Sequence, residues 1–249
     1  MEISFFEEYP NTKNLEKLKL INFSTKLYLA DYSIESYKVY KKQLQKEHKN
    51  LKEVIWWPIL NFSEGYWLSP FSKRRALLRL FHVLLKERIP IMWDAEVPRK
   101  RSLFLTQFFK HFKNRALIRK FFLKYKGQIY TAENLLENSF LEYLCLNFNP
   151  KNYDNIKIKM MYSSMHLLLN KDPEFMKKEI KKFKDLFGDK IYIGLGVLAT
   201  GVIGNEKTMT PKLLERDLKI CKELDIKEII IFRLGGLNKE YLKIIKKYI

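Results

Sequence analysis

The chain has 249 residues, 47% of them hydrophobic and 14% aromatic, with 47 Lys and Arg against 28 Asp and Glu for a formal charge of +19. This composition excludes a disordered or low-complexity chain, and the length suits one α/β barrel domain over residues 1–249. The two cysteines, Cys145 and Cys221, stand far apart in apolar helical patterns, which argues against a disulfide framework or a zinc motif and for buried thiols.

Extended segments and helical patterns alternate along the whole sequence. "EISFFEE" (2–8) precedes a helical pattern over 12–22 with Leu15, Leu18 and Ile21 or Phe23 on one side. "KLYLADYS" (26–33) leads into a helix over 34–48. "EVIWWPIL" (53–60) is followed by the loop "NFSEGYWLSPFS" (61–72) and a helix over 71–87, whose stripe is Leu77, Leu80, Phe81, Leu84 and Leu85. After "IPIMWDAE" (89–96), a long pattern over 101–125 carries Leu105, Phe108, Phe109, Phe112, Ile118, Phe121, Phe122 and Tyr125. "QIYTAE" (128–133) comes before a helix over 135–146, and "IKIKMMYSS" (156–164) before one over 173–187. "KIYIGLGVLA" (190–199) leads to a helix over 210–224, with Thr210 as N-cap, Pro211 at the first helical position, and Leu214, Leu218 and Cys221 facing inward. "KEIIIFRL" (227–234) and a helix over 238–248 close the chain. Eight short apolar strands, each followed by a helix, predict a single (β/α)8 TIM barrel. The first turn, "FFEEYPNTKN", has no glycine, which argues against a doubly wound nucleotide-binding sheet.

Barrel chemistry gathers where strands hand over to the following loops. Those ends carry Glu7, Glu8 and Tyr9; Asp31 and Tyr32; Asp94 and Glu96; Thr131, Glu133 and Asn134; Tyr162, Ser163, Ser164 and His166; Thr200; and Arg233. Asp94 and Glu96 are two apart on an extended segment, so they share a face with α-carbons roughly 6.5–7 Å apart. Aimed into the mouth, two such carboxylates repel and one proton affinity rises. The raised carboxyl then serves as a general acid while its partner stays charged, the division that glycoside cleavage requires. A salt-bridged pair capping the next helix through Arg99, Lys100 or Arg101 is the structural alternative. Tyr66 and Trp67 in the third loop, beside Glu64, suit stacking on sugar rings. Of the adjacent Trp56 and Trp57, one is expected in the core and the other at the mouth. Arg233, ahead of Gly235 and Gly236, either binds an anionic substrate group or pairs with Glu7 or Glu8 across the closing strands.

Four segments resemble the family-18 chitinases. "IMWDAE" is similar to the D-x-E end of that family's fourth strand, "IKMMYSS" to its Met-x-Tyr sixth strand, and "IYIGLGVLATG" to its seventh. "SEGYW" is a loose counterpart of the third-strand motif. Hyaluronidases and family-25 lysozymes also end the fourth strand in D-x-E. The resemblance implies Glu96 as acid/base, Asp94 as its partner and Tyr162 as an orienting hydroxyl, with the substrate's acetamido oxygen attacking the anomeric carbon. The sequence departs from that pattern at Met92, where the fuller D-x-D-x-E form has its first acid, at Ser163, where an acid usually follows the tyrosine, and at Arg233, where chitinases carry a tryptophan.

The expected function is therefore glycosidic cleavage of a carbohydrate or other polar, even anionic, substrate. Asp94 and Glu96 are the expected catalytic pair, with Glu7, Trp57, Glu64, Tyr66, Trp67, Glu133, Tyr162 and Arg233 binding substrate and no cofactor required. A second expectation is metal-assisted phosphodiester hydrolysis, with Mg²⁺ or Ca²⁺ held by Glu7 or Glu8, Asp94, Glu96 and Glu133. A third is a non-enzymatic basic barrel that binds nucleic acid or an anionic membrane surface, since +19 attracts anions and the 100–125 segment mixes Lys and Arg with Phe. "MEISFFEEYP" has no basic leader and no window reaches the ~18–20 apolar residues of a span. The expected location is cytoplasmic, with peripheral membrane contact as the variant.

Overall fold

The computed structural model describes residues 1–100 and 102–249, apart from the side chains of Phe104, Leu105 and Phe108. Arg101, and Leu105 and Phe108 of the expected apolar stripe, thus lie outside the described residues. Eight parallel strands close into a barrel in chain order: β1 (Glu2–Glu7), β2 (Thr25–Asp31), β3 (Leu51–Pro58), β4 (Ile91–Asp94), β5 (Ile129–Glu133), β6 (Ile156–Met160), β7 (Ile191–Gly196) and β8 (Glu228–Phe232). Closure runs between β1 and β8, from Glu2 opposite Glu228 to Phe6 opposite Phe232.

Strand side chains alternate between two cores, which is why these strands are apolar on both faces. Phe6, Tyr28, Ile55, Trp57, Met92, Tyr130, Ala132, Ile158, Ile230 and Phe232 fill the barrel. Their neighbours Phe5, Leu27, Leu29, Val54, Trp56, Ile91, Trp93, Ile129, Ile193 and Ile231 pack outward on the helices. Trp56 joins that outer layer, stacking on Tyr37 at 5.9 Å, while Trp57 faces in against Phe6. At the lower end of the interior Glu228 accepts hydrogen bonds from Ser4, Lys26 and Tyr28. The barrel floor is thereby closed and the open end is left at the carboxyl termini of the strands.

The helices follow the apolar stripes. Arg74–Glu87 buries Leu77, Leu80, Phe81 and Leu84, but Leu85 stays in solvent. Pro211–Glu223 is capped by Thr210, whose hydroxyl accepts from Leu213 N–H at 3.2 Å, and buries Leu214, Leu218 and Cys221. Both cysteines are buried free thiols. The long 101–125 pattern is broken into Ser102–Gln107, a 3₁₀ turn at Phe108–Lys110 and His111–Lys124. In the last of these Ile118, Phe121 and Phe122 pack on the barrel, whereas Phe112 and Leu123 remain exposed. The helix expected over 135–146 contracts to Ser139–Tyr143, and short helices appear at Pro150–Tyr153 and Leu167–Lys171.

Candidate functional site

Above the inner aromatic layer lies a cavity of about 290 Å³, floored by Phe6, Trp57, Met92, Ala132 and Phe232. Strand parity brings the acids to it. Met92 faces inward, so Asp94 does too. Ala95 N–H still donates to Ala132 O at 3.0 Å, holding the chain extended for one residue beyond β4. Glu96 therefore follows Asp94 on the same face, and both line the cavity. Phe6 likewise sets Glu8 inward just past the end of β1. Glu8 accepts from Tyr66 Oη at 2.8 Å and from Val202 N–H at 2.9 Å, tying together the loops after β1, β3 and β7. Glu206, also at the rim, closes the last loop by accepting from the N–H groups of Ile203 and Gly204.

Glu8, Asp94 and Glu96 all prefer to keep a proton. Burial pushes Asp94 well above the usual carboxylate range, and the neighbouring charges of Glu96 and Glu8 add to it. Burial and Glu8 together raise Glu96 to about 7. Glu8 itself rises to about 7 through burial, against the pull of its bonds to Tyr66 and Val202. The Tyr162 hydroxyl is driven up by burial and then by the same three acids, which places it among them. The indole N–H of Trp57 faces the Asp94 carboxyl and pulls against that rise, although neither Trp57 Nε1 nor Asp94 Oδ1 reaches full hydrogen-bond geometry. Although the protein is strongly basic, no Lys or Arg is among the described residues lining the cavity. The sequence expectation made Asp94 the charged member of the pair. Its deeper burial instead favours its neutral form at rest, and Glu96 is the carboxyl on the open side.

The structure brings together five of the expected site residues, Asp94, Glu96, Trp57, Trp67 and Tyr162, and leaves the others outside the cavity lining. Glu7 has the opposite parity to Glu8. It is fully buried, pairs with Arg233 at 2.9 Å, and accepts from Tyr9 N–H, Asn14 Nδ2 and Gly235 N–H. Arg233 is spent on that pair and on Thr200 O, with its guanidinium over the Tyr9 ring. It is not part of the cavity lining; the inward aromatic at the end of β8 is Phe232. Glu133 points outward into the helical layer, where Lys157 lies 3.0 Å and Lys159 3.4 Å away, and Glu137 completes a buried four-charge cluster. Glu64 forms an ion pair with Arg79 at 2.8 Å. Tyr66 is buried outside the cavity lining, and its hydroxyl supports Glu8.

Of the four oxygen donors expected around Mg²⁺ or Ca²⁺, Glu8, Asp94 and Glu96 line the cavity, and Glu133 is turned away to Lys157 and Lys159. Among the described residues no group of three or more His, Cys, Asp and Glu is arranged to hold a metal. Sequence reasoning placed Glu7 rather than Glu8 in the substrate site, and missed Glu206 and Phe232 as lining residues. For Glu8 the signal is ambiguous, because "FFEE" reads equally well in either parity.

No family's sequence model matches the chain, and no curated protein matches it. Solved structures do. The spore cortex-lytic enzyme SleL of Bacillus cereus is similar over 99% of this chain and 74% of its own, at 12% identity and TM-score 0.59. A class V chitinase from Pseudomonas fluorescens Pf-5 is similar over 99% of both chains, at 9% identity and TM-score 0.58. A glycoside hydrolase family 18 N-acetylglucosaminidase from Paenibacillus barengoltzii is similar over 100% of this chain and 99% of its own, at 10% identity and TM-score 0.55. The chain has the fold of barrel glycoside hydrolases. Among the described residues no helix is long and apolar enough to cross a membrane.

Proposed function

We propose that the chain cleaves glycosidic bonds at the mouth of its barrel, with Glu96 as the proton donor. One observation carries this reading: Asp94 and Glu96 stand in line on the inner face of one strand end, above a walled cavity, with Glu96 poised at about 7. A carboxyl with that affinity holds a proton at neutral pH and gives it up readily to a leaving oxygen. Asp94, buried below and more reluctant to ionise, lends its proton as a hydrogen bond to the Glu96 carboxylate formed when the bond breaks. Glu8, anchored by Tyr66 and Val202, is the carboxylate that faces positive charge developing on the sugar. Tyr162 is set to hydrogen-bond the reacting sugar, and Trp57, Trp67 and Phe232 supply apolar faces for its C–H surface. The acidic lining disfavours an anionic substrate, so a neutral sugar is favoured. The similar structures named as a chitinase and an N-acetylglucosaminidase make N-acetylglucosaminides the first substrates to try.

The test is a screen of nitrophenyl glycosides and oligosaccharides with the wild type beside Glu96→Gln, both verified as folded by circular dichroism. Oligosaccharide turnover by the wild type that falls about 10²–10⁴-fold in the variant supports the assignment, while nitrophenyl glycosides, whose phenol leaves without protonation, serve to find the sugar. Equal turnover of the oligosaccharide by both removes Glu96 as proton donor.

A further inference from the structure

The loops that frame the cavity carry large apolar side chains in solvent. Leu136 and Phe140 after β5 are 66% and 65% exposed, and Leu167 after β6 is 66% exposed. Met165 and Leu168 beside it, and Val97 after Glu96, are also exposed. These same loops supply Glu96, Leu135, Met165 and His166 to the cavity lining, so the apolar side chains surround its opening on the β4–β6 side. Single exposed leucines are ordinary, but a set grouped on three successive loops marks an interaction surface.

Charge identifies what covers it. From Val97 to Ala132 the sequence has no Asp or Glu and ten Lys or Arg. Lys100, Lys110 and Lys113 are exposed and have no ion pair among the described residues. Of the acids on the adjoining loops, Glu137 pairs with Lys157 and Lys159, Asp172 caps the helix Pro173–Phe187, and Glu142 accepts from Asn152. The result is an apolar rim flanked by lysines that no ion pair among the described residues neutralises. Nucleic acid would use the charge but leave the aliphatic side chains in water. An anionic bilayer uses both, lysines on the headgroups and Leu and Phe at the acyl boundary.

We propose that this rim docks the protein on an anionic lipid surface, with the cavity opening toward the bilayer. The proposal does not depend on the glycosidase reading. It is tested by co-sedimentation of the full chain with vesicles of phosphatidylcholine alone and of phosphatidylcholine with phosphatidylglycerol, across a salt series. The variants are Leu167→Ser/Leu168→Ser and Lys110→Gln/Lys113→Gln, each matched to wild type in thermal unfolding. Because Cys145 and Cys221 are buried, a single introduced thiol also reports orientation: an environment-sensitive dye on Leu168→Cys, against one on Lys52→Cys at the far end of the barrel.

The expected results are binding to the anionic vesicles only, weakened by salt, and roughly tenfold weaker binding in either double variant. The dye at position 168 shifts to the blue with vesicles and the dye at 52 does not. Three results overturn the proposal. One is no binding to anionic vesicles at low salt. Another is binding that depends on charge but is untouched by Leu167→Ser/Leu168→Ser. The third is a larger dye response at 52 than at 168. Tight, salt-sensitive binding to RNA together with the second of these results would assign the surface to nucleic acid.

Discussion

Replacing Glu8 by Gln should stabilise the protein at pH 8 and leave it nearly unchanged at pH 5. In the folded chain the Glu8 carboxyl is raised from its ordinary 4.5 to about 7, chiefly by burial. The folded state therefore holds this proton more tightly than the unfolded state does. Stability linked to it is present in full below about pH 4.5 and is lost as pH climbs to about 7. A rise of that size corresponds to about 3 kcal/mol at pH 8 and less than about 1 kcal/mol at pH 5. Gln removes the titration and keeps both contacts: its carbonyl accepts from Val202 N–H, and its amide donates to Tyr66 once that hydroxyl turns round to accept. At about 2–4 °C per kcal/mol for a chain of this size, the variant should melt roughly 6–12 °C above wild type at pH 8. Urea unfolding at both pH values gives the free energies directly. A variant less stable than wild type at pH 8, or a difference independent of pH, would refute the idea that this carboxyl is held against its preference. Stability given up in this way is what an acid site at a barrel mouth requires.

Other outcomes follow from named contacts. Glu7→Gln strands the buried Arg233 guanidinium and should cost about 3–5 kcal/mol in urea unfolding, and adding Arg233→Met should recover much of it. Glu133→Gln leaves Lys157 and Lys159 facing only Glu137 and should lower the urea midpoint without changing the apparent affinity for substrate. If Glu96 donates the proton and Glu8 acts as the carboxylate, kcat/KM of the wild type peaks near pH 7, falling above it as Glu96 ionises and below it as Glu8 is protonated. Gly201→Ala would set a Cβ 2.5 Å from Glu8 Oε2 and 2.7 Å from Phe232 Cζ. It should displace the Glu8 carboxylate and reduce turnover while the far-UV spectrum stays unchanged.

The barrel was legible because every strand is an apolar run and every helix carries its stripe, two periods that local sequence reports directly. The fourth strand was legible as a site because Met92, Asp94 and Glu96 share one parity; the opposite parity belongs to Ile91 and Trp93, which pack on the helical Phe81, Phe121 and Phe122. Parity failed on the first strand, where Phe5 and Phe6 are followed by Glu7 and Glu8. What settles it is distant: Arg233 and Gly235, more than two hundred residues on, capture Glu7. Glu133 was misread although its partners were in view. The alternation of Ile156, Lys157, Ile158 and Lys159 puts both lysines on the outer face of β6, and the β5–β6 register sets Glu133 opposite Lys159. In the third loop sequence could show aromatics but not their division of labour, because Tyr66 is drawn to Glu8 by a bond that only the closed barrel makes.

The most direct measurement compares leaving groups. Glu96→Gln is assayed on a natural oligosaccharide and on an aryl glycoside whose phenol leaves without protonation, each against wild type. A proton-donating Glu96 predicts a loss of about 10²–10⁴-fold on the oligosaccharide and a far smaller one on the aryl glycoside. Equal losses on both substrates, or none on either, would contradict it.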